Sequence, residues 1–296
     1  MTISVIIPIY NAEKYLPDLF RALEANHFED GDEVLLVDNG STDGSVHMCQ
    51  EQVERVSKLY RFLSFTEKAG SYATRNYAVR ESKGQALVFT DSDTKPVPDW
   101  LYNIRTTLRP GLAIAGKIEL EIVNHGLWEL YDNLVHLNSE KNAANNEVAT
   151  ANMSVYRADF DMVGFFEERF SGGDYDWSTR AKATGLEIVF AQDAKVYHPT
   201  RKTFEQVLKK EQRIAYGAGN HYYFSGKPLA ILILRYFAKI FKVDTNIRCH
   251  KALKELGVSR KDLREFDTKF WIIRIEQLKY AVRGYKMIDA RKLGVK

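Results

Sequence analysis

The chain has 296 residues, of which 45% are hydrophobic and 27% charged, and its formal net charge is +3. This composition predicts a globular protein that is long enough to bury a large core. Its two cysteines, Cys49 and Cys249, lie far apart, which argues against both a disulfide scaffold and a zinc-cysteine site.

The first segment, MTISVIIPIYN, is typical of a strand and not of a signal peptide. It has no basic residues before its apolar stretch and no small-residue cleavage pattern after it. We therefore expect a protein of the cytosol.

Strand-like and helix-like segments alternate through the first 91 residues. Short β-branched and apolar runs are typical of strands buried on both faces of a sheet, and 3.6-residue periodicity is typical of helices. In chain order the strands are ISVIIPI, DEVLLVD, YRFLSF and QALVFTD, and the helices between them are AEKYLPDLFRALEA, TDGSVHMCQEQVERV and SYATRNYAVRES. This order predicts an α/β fold with a doubly wound, mainly parallel sheet, in which ligands bind beyond the carboxyl ends of the strands.

The pattern is weaker from 111 to 146. LAIAGKIELEIV predicts a strand, WELYDNLVHLNSEKN a helix, and ATANMSVYRADFDMVG a strand followed by a short helix. Gly172 and Gly173 predict a turn before another helix, and Gly185 predicts the end of that helix. LEIVFAQDAKVYHP predicts two short final strands that end at His198.

Charge divides the chain near Pro199. Residues 199–296 contain 23 Lys and Arg against 9 Asp and Glu, a net charge of +14, whereas residues 1–198 contain 19 against 30, a net charge of −11. We predict a catalytic domain over 1–198 and a basic helical region over 199–296 that prefers anionic partners.

Two carboxylates follow the strand ALVFT. If the strand continues, Asp91 and Asp93 point to the same side, because strand side chains alternate faces. Such a pair is solvated, shares a proton or binds a cation such as magnesium or manganese. A solvated turn is the alternative, since Asp, Ser, Thr and Pro are common turn residues.

Five segments in chain order resemble family 2 glycosyltransferases: VIIPIYN, LLVDNGSTDGS, AGSYATRNYAV, FTDSD and SGGDYDWSTRAKATG. The resemblance covers the first two thirds of the chain. It implies a GT-A fold and an inverting transferase that takes one sugar from a nucleoside-diphosphate sugar, with a UDP-sugar the favoured donor. The acceptor implied is a glycan or a lipid-linked molecule, as in polysaccharide or cell-envelope synthesis.

The resemblance also implies site residues. Those for the nucleotide sugar are Pro8, Tyr10, Asn11, Asp38, Arg75, Asp91 and Ser92, with Asn76 beside Arg75 near the diphosphate. Asp93 and His198 would hold a magnesium or manganese ion, which neutralises charge on the departing diphosphate.

Asp174 matches the position of the catalytic base, with Gly173 in place of the family's preceding Glu. The base takes the proton of the acceptor hydroxyl. Asp176 is the alternative base, or a first-turn helix charge. Asp43 is expected to be a helix N-cap or a first-turn charge and not a ligand contact. Trp177 is either a core residue or a platform beneath the acceptor sugar.

Two tail segments predict basic, apolar helices. PLAILILRYFAKIFK places Arg235, Lys239 and Lys242 on one stripe. In FWIIRIEQLKYAVRGYKMIDARK, one face holds the apolar residues Trp271, Ile275, Leu278, Val282 and Tyr285. Such helices bind anionic membrane surfaces, or they pack on the protein with their charges in solvent. The first reading places the protein at the cytoplasmic face of a membrane.

Three other functions compete with the transferase. A nucleotide-sugar-binding protein without turnover would bind the donor only, and the three aspartates Asp91, Asp93 and Asp174 argue against it. A nucleic-acid-binding tail would lack a base-reading module, so we expect no nucleic-acid partner. A nucleotidyltransferase is disfavoured because no glycine-rich phosphate loop follows the first strand.

Overall fold

The computed structural model describes residues 1–241 and 244–287. Its strands are β1 (Ile3–Ile9), β2 (Glu33–Asp38), β3 (Tyr60–Ser64), β4 (Ala86–Thr90), β5 (Lys95–Pro96), β6 (Leu112–Glu121), β7 (Asn152–Tyr156) and β8 (Glu187–Pro199). Its helices are α1 (Leu16–Glu24), α2 (Ser45–Arg55), α3 (Ser71–Glu81), α4 (Trp100–Thr107), α5 (Leu127–Val135), α6 (Ser139–Ala144), α7 (Arg157–Val163), α8 (Gly173–Ala183), α9 (Phe204–Phe224), α10 (Leu229–Phe241), α11 (Asp244–Glu255) and α12 (Arg260–Tyr285).

Eight strands form one sheet in the order β3-β2-β1-β4-β7-β6-β8-β5. Strands β3, β2, β1 and β4 are parallel, and β7 runs antiparallel to β4 and β6. The predicted mainly parallel α/β sheet is therefore confirmed. The carboxyl ends of β1, β2 and β4 meet at one edge, because parallel strands share a direction.

Two apolar clusters cover the two faces of this sheet, because its central strands are buried on both sides. Alternate residues of one strand belong to different clusters. In β1, Val5 and Ile7 belong to the first cluster and Ile6 to the second. The continuous apolar run of β1 follows from this arrangement.

The prediction of two short strands at the end of this region was wrong. Glu187–Pro199 forms the single strand β8. In its ladder with β6, Gly116 pairs with Ala191, but the next residue, Lys117, pairs with Lys195. Residues 192–194 form a bulge in a continuous ladder, and the sequence pattern of a bulge resembles that of a turn.

The chain divides into two compact units. Unit 1 comprises 1–121, 137–168 and 173–199, and unit 2 comprises 122–136, 169–172 and 200–296. Unit 1 contains the whole sheet. Unit 2 contains α5 and the helices α9 to α12, and its larger apolar cluster includes Trp128, Phe204, Phe266 and Phe270.

Helix α12 buries a different face from the one that sequence periodicity indicates. Its buried residues are Leu263, Phe266, Phe270, Ile273, Gln277, Tyr280, Ala281 and Gly284. The predicted apolar stripe is partly exposed, and Ile275 is 45% exposed. Close backbone packing fixes this rotation, since a Cβ on Gly284 would collide with the carbonyl oxygen of Tyr216 in α9.

Helix α10 agrees with the predicted basic, apolar helix, but Lys242 of its predicted stripe lies outside the described residues. Within 1–241 and 244–287, no helix combines the length and apolar character that crossing a bilayer requires.

Candidate active site

Asp91 and Asp93 lie in a turn and not in a continued strand, so the condition for strand alternation is not met and the alternative of a turn applies. Strand β4 ends at Thr90, and the backbone nitrogen and hydroxyl of Thr94 donate to the Asp91 carbonyl oxygen at 3.3 and 2.8 Å. The hydroxyls of Thr90 and Thr94 are 2.7 Å apart in the core. This buried bonding fixes a turn from which both carboxylates, and Ser92 between them, project half-exposed.

His198 joins these two carboxylates from the end of β8. One oxygen of Asp91, one oxygen of Asp93 and one ring nitrogen of His198 lie within 4.8 Å of one another. The imidazole is buried, its Nδ1 donates to the Pro199 carbonyl oxygen at 2.8 Å, and its Nε2 is 3.6 Å from Asp93 Oδ1. Because Nδ1 carries the proton, Nε2 can offer a lone pair, and the set of two carboxylates and one imidazole suits a divalent metal ion.

Arg75 is a buried side chain of α3 that forms an ion pair with Asp91. It is therefore not a residue of a solvated helical face. Asn76 has a structural contact: its amide nitrogen donates to the Phe166 carbonyl oxygen at 2.8 Å, and its amide oxygen accepts from the Phe166 nitrogen at 3.0 Å. Only Arg75 of this pair faces the aspartate turn.

The residues predicted to contact the nucleotide lie at the ends of β1 and β2. Pro8 pairs with Val37 and Ile9 with Asp38 in the parallel ladder. Tyr10 follows with 46% of its surface exposed, and Asn11 adopts the left-handed φ of 48°. The Asn11 side-chain oxygen accepts from the Thr42 nitrogen at 2.8 Å, which connects the two strand ends.

The loop after β2 is held by its own polar side chains. Buried Asp38 accepts from the backbone nitrogens of Gly40 at 2.9 Å and Ser41 at 3.2 Å. Asn39, which replaces the second Asp of the motif, donates to the Lys68 carbonyl oxygen at 3.0 Å and accepts from the Gly70 nitrogen at 2.8 Å. Asn39 therefore connects this loop to the segment before α3, a contact that needs a donor and cannot be made by a carboxylate.

Asp43 does not occupy the N-cap position of α2, which is Gly44, but its carboxylate bonds Ser45, the first residue of that helix. Its Oδ1 accepts from the Ser45 nitrogen at 3.1 Å and from the Ser45 hydroxyl at 2.5 Å, and its Oδ2 accepts from the Glu13 nitrogen at 3.2 Å. These bonds stabilise the charged form and, against the opposing effect of burial, lower the pKa of Asp43.

Asp174 lies in the first turn of α8, directly after Gly173. Gly172, at φ 82°, supplies the left-handed turn before the helix, and Gly185, also at 82°, follows its end as predicted. Asp174 Oδ1 accepts from the Tyr72 hydroxyl at 2.8 Å and from the Tyr175 nitrogen at 3.0 Å. One carboxylate oxygen is thereby fixed by two donors.

The neighbours of Asp174 differ in role. Asp176 bonds Arg180 Nε at 3.0 Å, and Arg180 NH1 bonds the Val163 carbonyl oxygen at 2.6 Å, so this carboxylate is part of a structural link. Trp177 is fully buried and stacks on Phe160 with ring centroids 5.8 Å apart, which makes it a core residue and not a platform.

Sequence reasoning missed two residues near Asp174. Tyr72 lies within the motif segment AGSYATRNYAV, but the resemblance gives it no role, and it bonds a residue 102 positions away. Glu147 is half-buried, and burial followed by the charge of Asp174 raises the pKa of its carboxyl. The backbone beside it is tied to α8, because the Val148 nitrogen donates to the Ser178 hydroxyl at 3.1 Å and that hydroxyl donates to the Asp174 carbonyl oxygen at 2.8 Å.

Two family profiles match this chain. Glycosyl transferase family 2 matches residues 4–161, and Glycosyl transferase family group 2 matches residues 86–253. The glycosyltransferase AglE of Haloferax volcanii is 33% identical over 221 residues, which are 73% of this chain and 72% of AglE. An undecaprenyl-phosphate 4-deoxy-4-formamido-L-arabinose transferase of Pseudomonas aeruginosa is 31% identical over 121 residues, which are 40% of this chain but only 36% of that relative.

Solved structures share the fold at low identity. A mannosyltransferase of Pyrobaculum calidifontis, PcManGT, in complex with GDP-Man and Mn²⁺, aligns with a TM-score of 0.64 at 17% identity over 97% of this chain and 88% of that chain. S. aureus TarS 1–349 in complex with UDP-GlcNAc aligns with a TM-score of 0.54 at 18% identity over 99% of this chain and 92% of that chain.

Proposed function

The chain belongs to glycosyltransferase family 2 and is a glycosyltransferase, and we propose that it moves one sugar, with inversion, from a nucleoside-diphosphate donor to a hydroxyl of a glycan or lipid-linked acceptor. The family membership and the GT-A-like fold confirm the resemblance drawn from the motifs. The observation that carries the proposal is the meeting of His198, at the end of β8, with Asp91 and Asp93, which lie far earlier in the chain just after β4.

In this proposal Asp93 and His198 hold a Mn²⁺ or Mg²⁺ ion, and Asp91 contacts the ribose or a metal-bound water. The mixed oxygen and nitrogen donor set favours manganese, since magnesium prefers oxygen ligands alone. When bound, the ion neutralises charge on the departing diphosphate. Arg75 orients Asp91 through their ion pair, and it adds positive charge on the diphosphate side.

The nucleotide is proposed to lie against Pro8, Tyr10, Asn11 and Asp38. The exposed ring of Tyr10 supports this, because it offers a face on which a base can stack. A donor bound there would extend toward the aspartate turn, since the ends of β1, β2 and β4 are adjacent in the sheet.

Asp174 is proposed as the base that removes the acceptor proton. Its Oδ1 is occupied by two donors, and no described residue donates to Oδ2. Asp176 is a poorer candidate because it forms a salt bridge with Arg180. A base with one oriented and one open oxygen suits a hydroxyl that attacks opposite the leaving group.

The donor and the acceptor are proposed from the substrates of the similar proteins. PcManGT was crystallised with GDP-Man and TarS with UDP-GlcNAc, which supports a nucleotide-sugar donor, and we propose a UDP-sugar. The undecaprenyl-phosphate transferases support a lipid-linked acceptor.

Helix α10 supports a membrane-facing position for unit 2. Eleven of its 13 residues are apolar or aromatic and two are basic, yet only Leu232 and Tyr236 are buried. Leu234 and Phe241 are each 66% exposed. An apolar helix surface whose only charges are basic fits an anionic lipid interface. The cytoplasmic location stays a prediction from the sequence.

The membrane proposal is tested by co-sedimentation with phosphatidylglycerol vesicles and with phosphatidylcholine vesicles. We expect binding to the anionic vesicles only, and its loss in Leu234→Glu. Ile272→Glu, at a 42% exposed apolar position on α12, is the control that should still bind. Equal binding by Leu234→Glu and the parent would exclude α10.

The donor site is tested by calorimetric titration with nucleoside diphosphates in manganese and then in a chelator. Metal-dependent binding of one nucleotide should disappear in Asp93→Ala. Asp161→Ala, which removes an exposed acid of α7, is the matched control and should bind normally. A chain that binds none of the nucleotides, or an Asp93→Ala variant that binds as well as the parent, would refute the proposed donor site.

A further inference from the structure

We propose that Tyr72 is a positioning residue for Asp174: its hydroxyl holds one carboxylate oxygen so that the other is presented to the acceptor hydroxyl. This inference rests on the proposed function, which makes Asp174 the base. It assigns a role to a side chain within AGSYATRNYAV to which the family resemblance gives none.

The bonding of Asp174 is one-sided. Tyr72 Oη at 2.8 Å and the Tyr175 nitrogen at 3.0 Å both donate to Oδ1. The second donor is the backbone of the next residue and fixes little beyond the helix start, whereas Tyr72 comes from another helix, α3. Tyr72 therefore sets the orientation of the carboxylate plane relative to the rest of the site.

Tyr72 stays a donor at every pH used to assay such an enzyme. Burial, and then the charge of Asp174, raise the pKa of its phenol far above the ordinary value. A neutral phenol that donates to a carboxylate favours the ionised form, which is the form a base needs. Two other charged groups lie near this pair: the Glu147 carboxyl, whose pKa is raised by burial and then by the charge of Asp174, and the Arg75 guanidinium, 5.7 Å from the Tyr72 ring centroid.

Gly173 makes room for the Tyr72 ring. A Cβ added at Gly173 would lie 2.8 Å from Tyr72 Cγ and 2.8 Å from the Glu167 carbonyl oxygen. A side chain at this position would push the ring away from Asp174, because the opposite side is closed by backbone. The glycine before the base and the tyrosine that bonds the base are thus one packing arrangement.

Helix α3 connects the two halves of the proposed chemistry. Tyr72 and Arg75 are three residues apart and lie on neighbouring positions of the helix surface. Tyr72 contacts Asp174, and Arg75 contacts Asp91. The helix therefore fixes the position of the base relative to the aspartate turn.

The test compares Tyr72→Phe, Asp174→Asn and the double variant. Turnover is followed as nucleoside diphosphate released from UDP-GlcNAc and from GDP-mannose between about pH 5 and about pH 9. We expect Tyr72→Phe to lower kcat about 10- to 100-fold at the acid end and to move the acid limb up by about one pH unit, with the donor KM unchanged. Tyr77→Phe, on the same helix and stacked on Phe65, is the control with an unmoved profile.

The outcomes separate this inference from the proposed function. An active Asp174→Asn variant would overturn the base assignment and the role of Tyr72 together. An inactive Asp174→Asn with a Tyr72→Phe profile like that of the parent would overturn Tyr72 alone. If neither donor is turned over, the contact between Tyr72 and Asp174 is tested by a double-mutant cycle on the free energy of unfolding in urea. A coupling free energy of zero between Tyr72→Phe and Asp174→Asn would refute the contact.

Discussion

Replacing Asp132 with Asn is expected to destabilise unit 2. The carboxylate is fully buried in α5, accepts from His136 Nδ1 at 2.7 Å, and accepts from the Arg201 nitrogen at 3.0 Å and its NH1 at 3.2 Å. Lys210 Nζ lies 3.8 Å away. Asp132 is thus the anion to which three cationic or ionisable side chains converge.

Breaking such a buried pair costs about 3–5 kcal/mol, and Asn retains one acceptor oxygen, so we expect about 3 kcal/mol at pH 7. Burial alone would raise the pKa of Asp132, but the His136 hydrogen bond and the charges of Lys210 and Arg201 outweigh it and hold the pKa well below its ordinary value. Because the carboxyl pKa is lower in the folded chain than in the unfolded chain, Asp132 stabilises the fold fully at pH values above its unfolded-state pKa of about 4. That stabilisation is lost as the pH falls through the folded-state pKa.

The free energy of unfolding is measured in urea at about pH 7 and about pH 2.5, by tryptophan fluorescence. The deficit of Asp132→Asn should be largest at neutral pH and shrink in acid. Glu255→Gln, whose side chain is 67% exposed in α11, should leave stability unchanged. A deficit below about 1 kcal/mol, or one equal at both pH values, would refute the assigned bonding.

Three further predictions concern buried groups. Burial lowers the pKa of Lys210 to about 7, and its Nζ has no hydrogen-bond partner within the described ranges. The ammonium therefore destabilises the fold below about pH 7, and Lys210→Met should raise the free energy of unfolding there by about 1 kcal/mol. This gain should vanish toward about pH 10. A lower free energy of unfolding for Lys210→Met in urea titrations would contradict the prediction. A Cβ on Gly219 would collide with the Ala281 carbonyl oxygen and lie 2.7 Å from the Tyr285 nitrogen. Gly219→Ala should therefore cost about 2 kcal/mol of stability in thermal unfolding. Gly126→Ala is the control and should cost little, because the nearest atom to a Cβ on Gly126 lies 3.7 Å away. Burial raises the pKa of the Cys49 thiol to about 12. In a Cys249→Ser background Cys49 should therefore resist a disulfide reagent until the chain unfolds. Rapid labelling of Cys49 in the folded protein would contradict this, because it would show that the site opens.

Much of the fold follows from local sequence patterns. The run VIIPI predicts β1 because a strand covered on both faces has to be apolar at every position. Strand β7 and helix α7 likewise occupy the segment whose periodicity changes from two to 3.6. Asp91 and Asp93 could be chosen as ligand candidates because they directly follow a buried strand.

Where a sequence pattern fits two structural interpretations equally well, local sequence cannot choose between them. In α12, two apolar stripes about one residue apart have the same spacing, and the close approach of Gly219 and Gly284 to the facing backbones selects one of them. Asp174 and Asp176 were both candidate bases until Arg180 was found to bond the second.

The sequence by itself determined the order of elements, the family and the acidic residues near the strand ends, because these depend on near neighbours along the chain. Only the tertiary structure decided which side chains meet. His198 reaches Asp93, Arg75 reaches Asp91, and Tyr72 reaches Asp174 across distances that no local pattern records. The physical reason is that strand pairing and helix packing, which are set by the burial of apolar surface throughout the chain, bring these residues to one edge of the sheet.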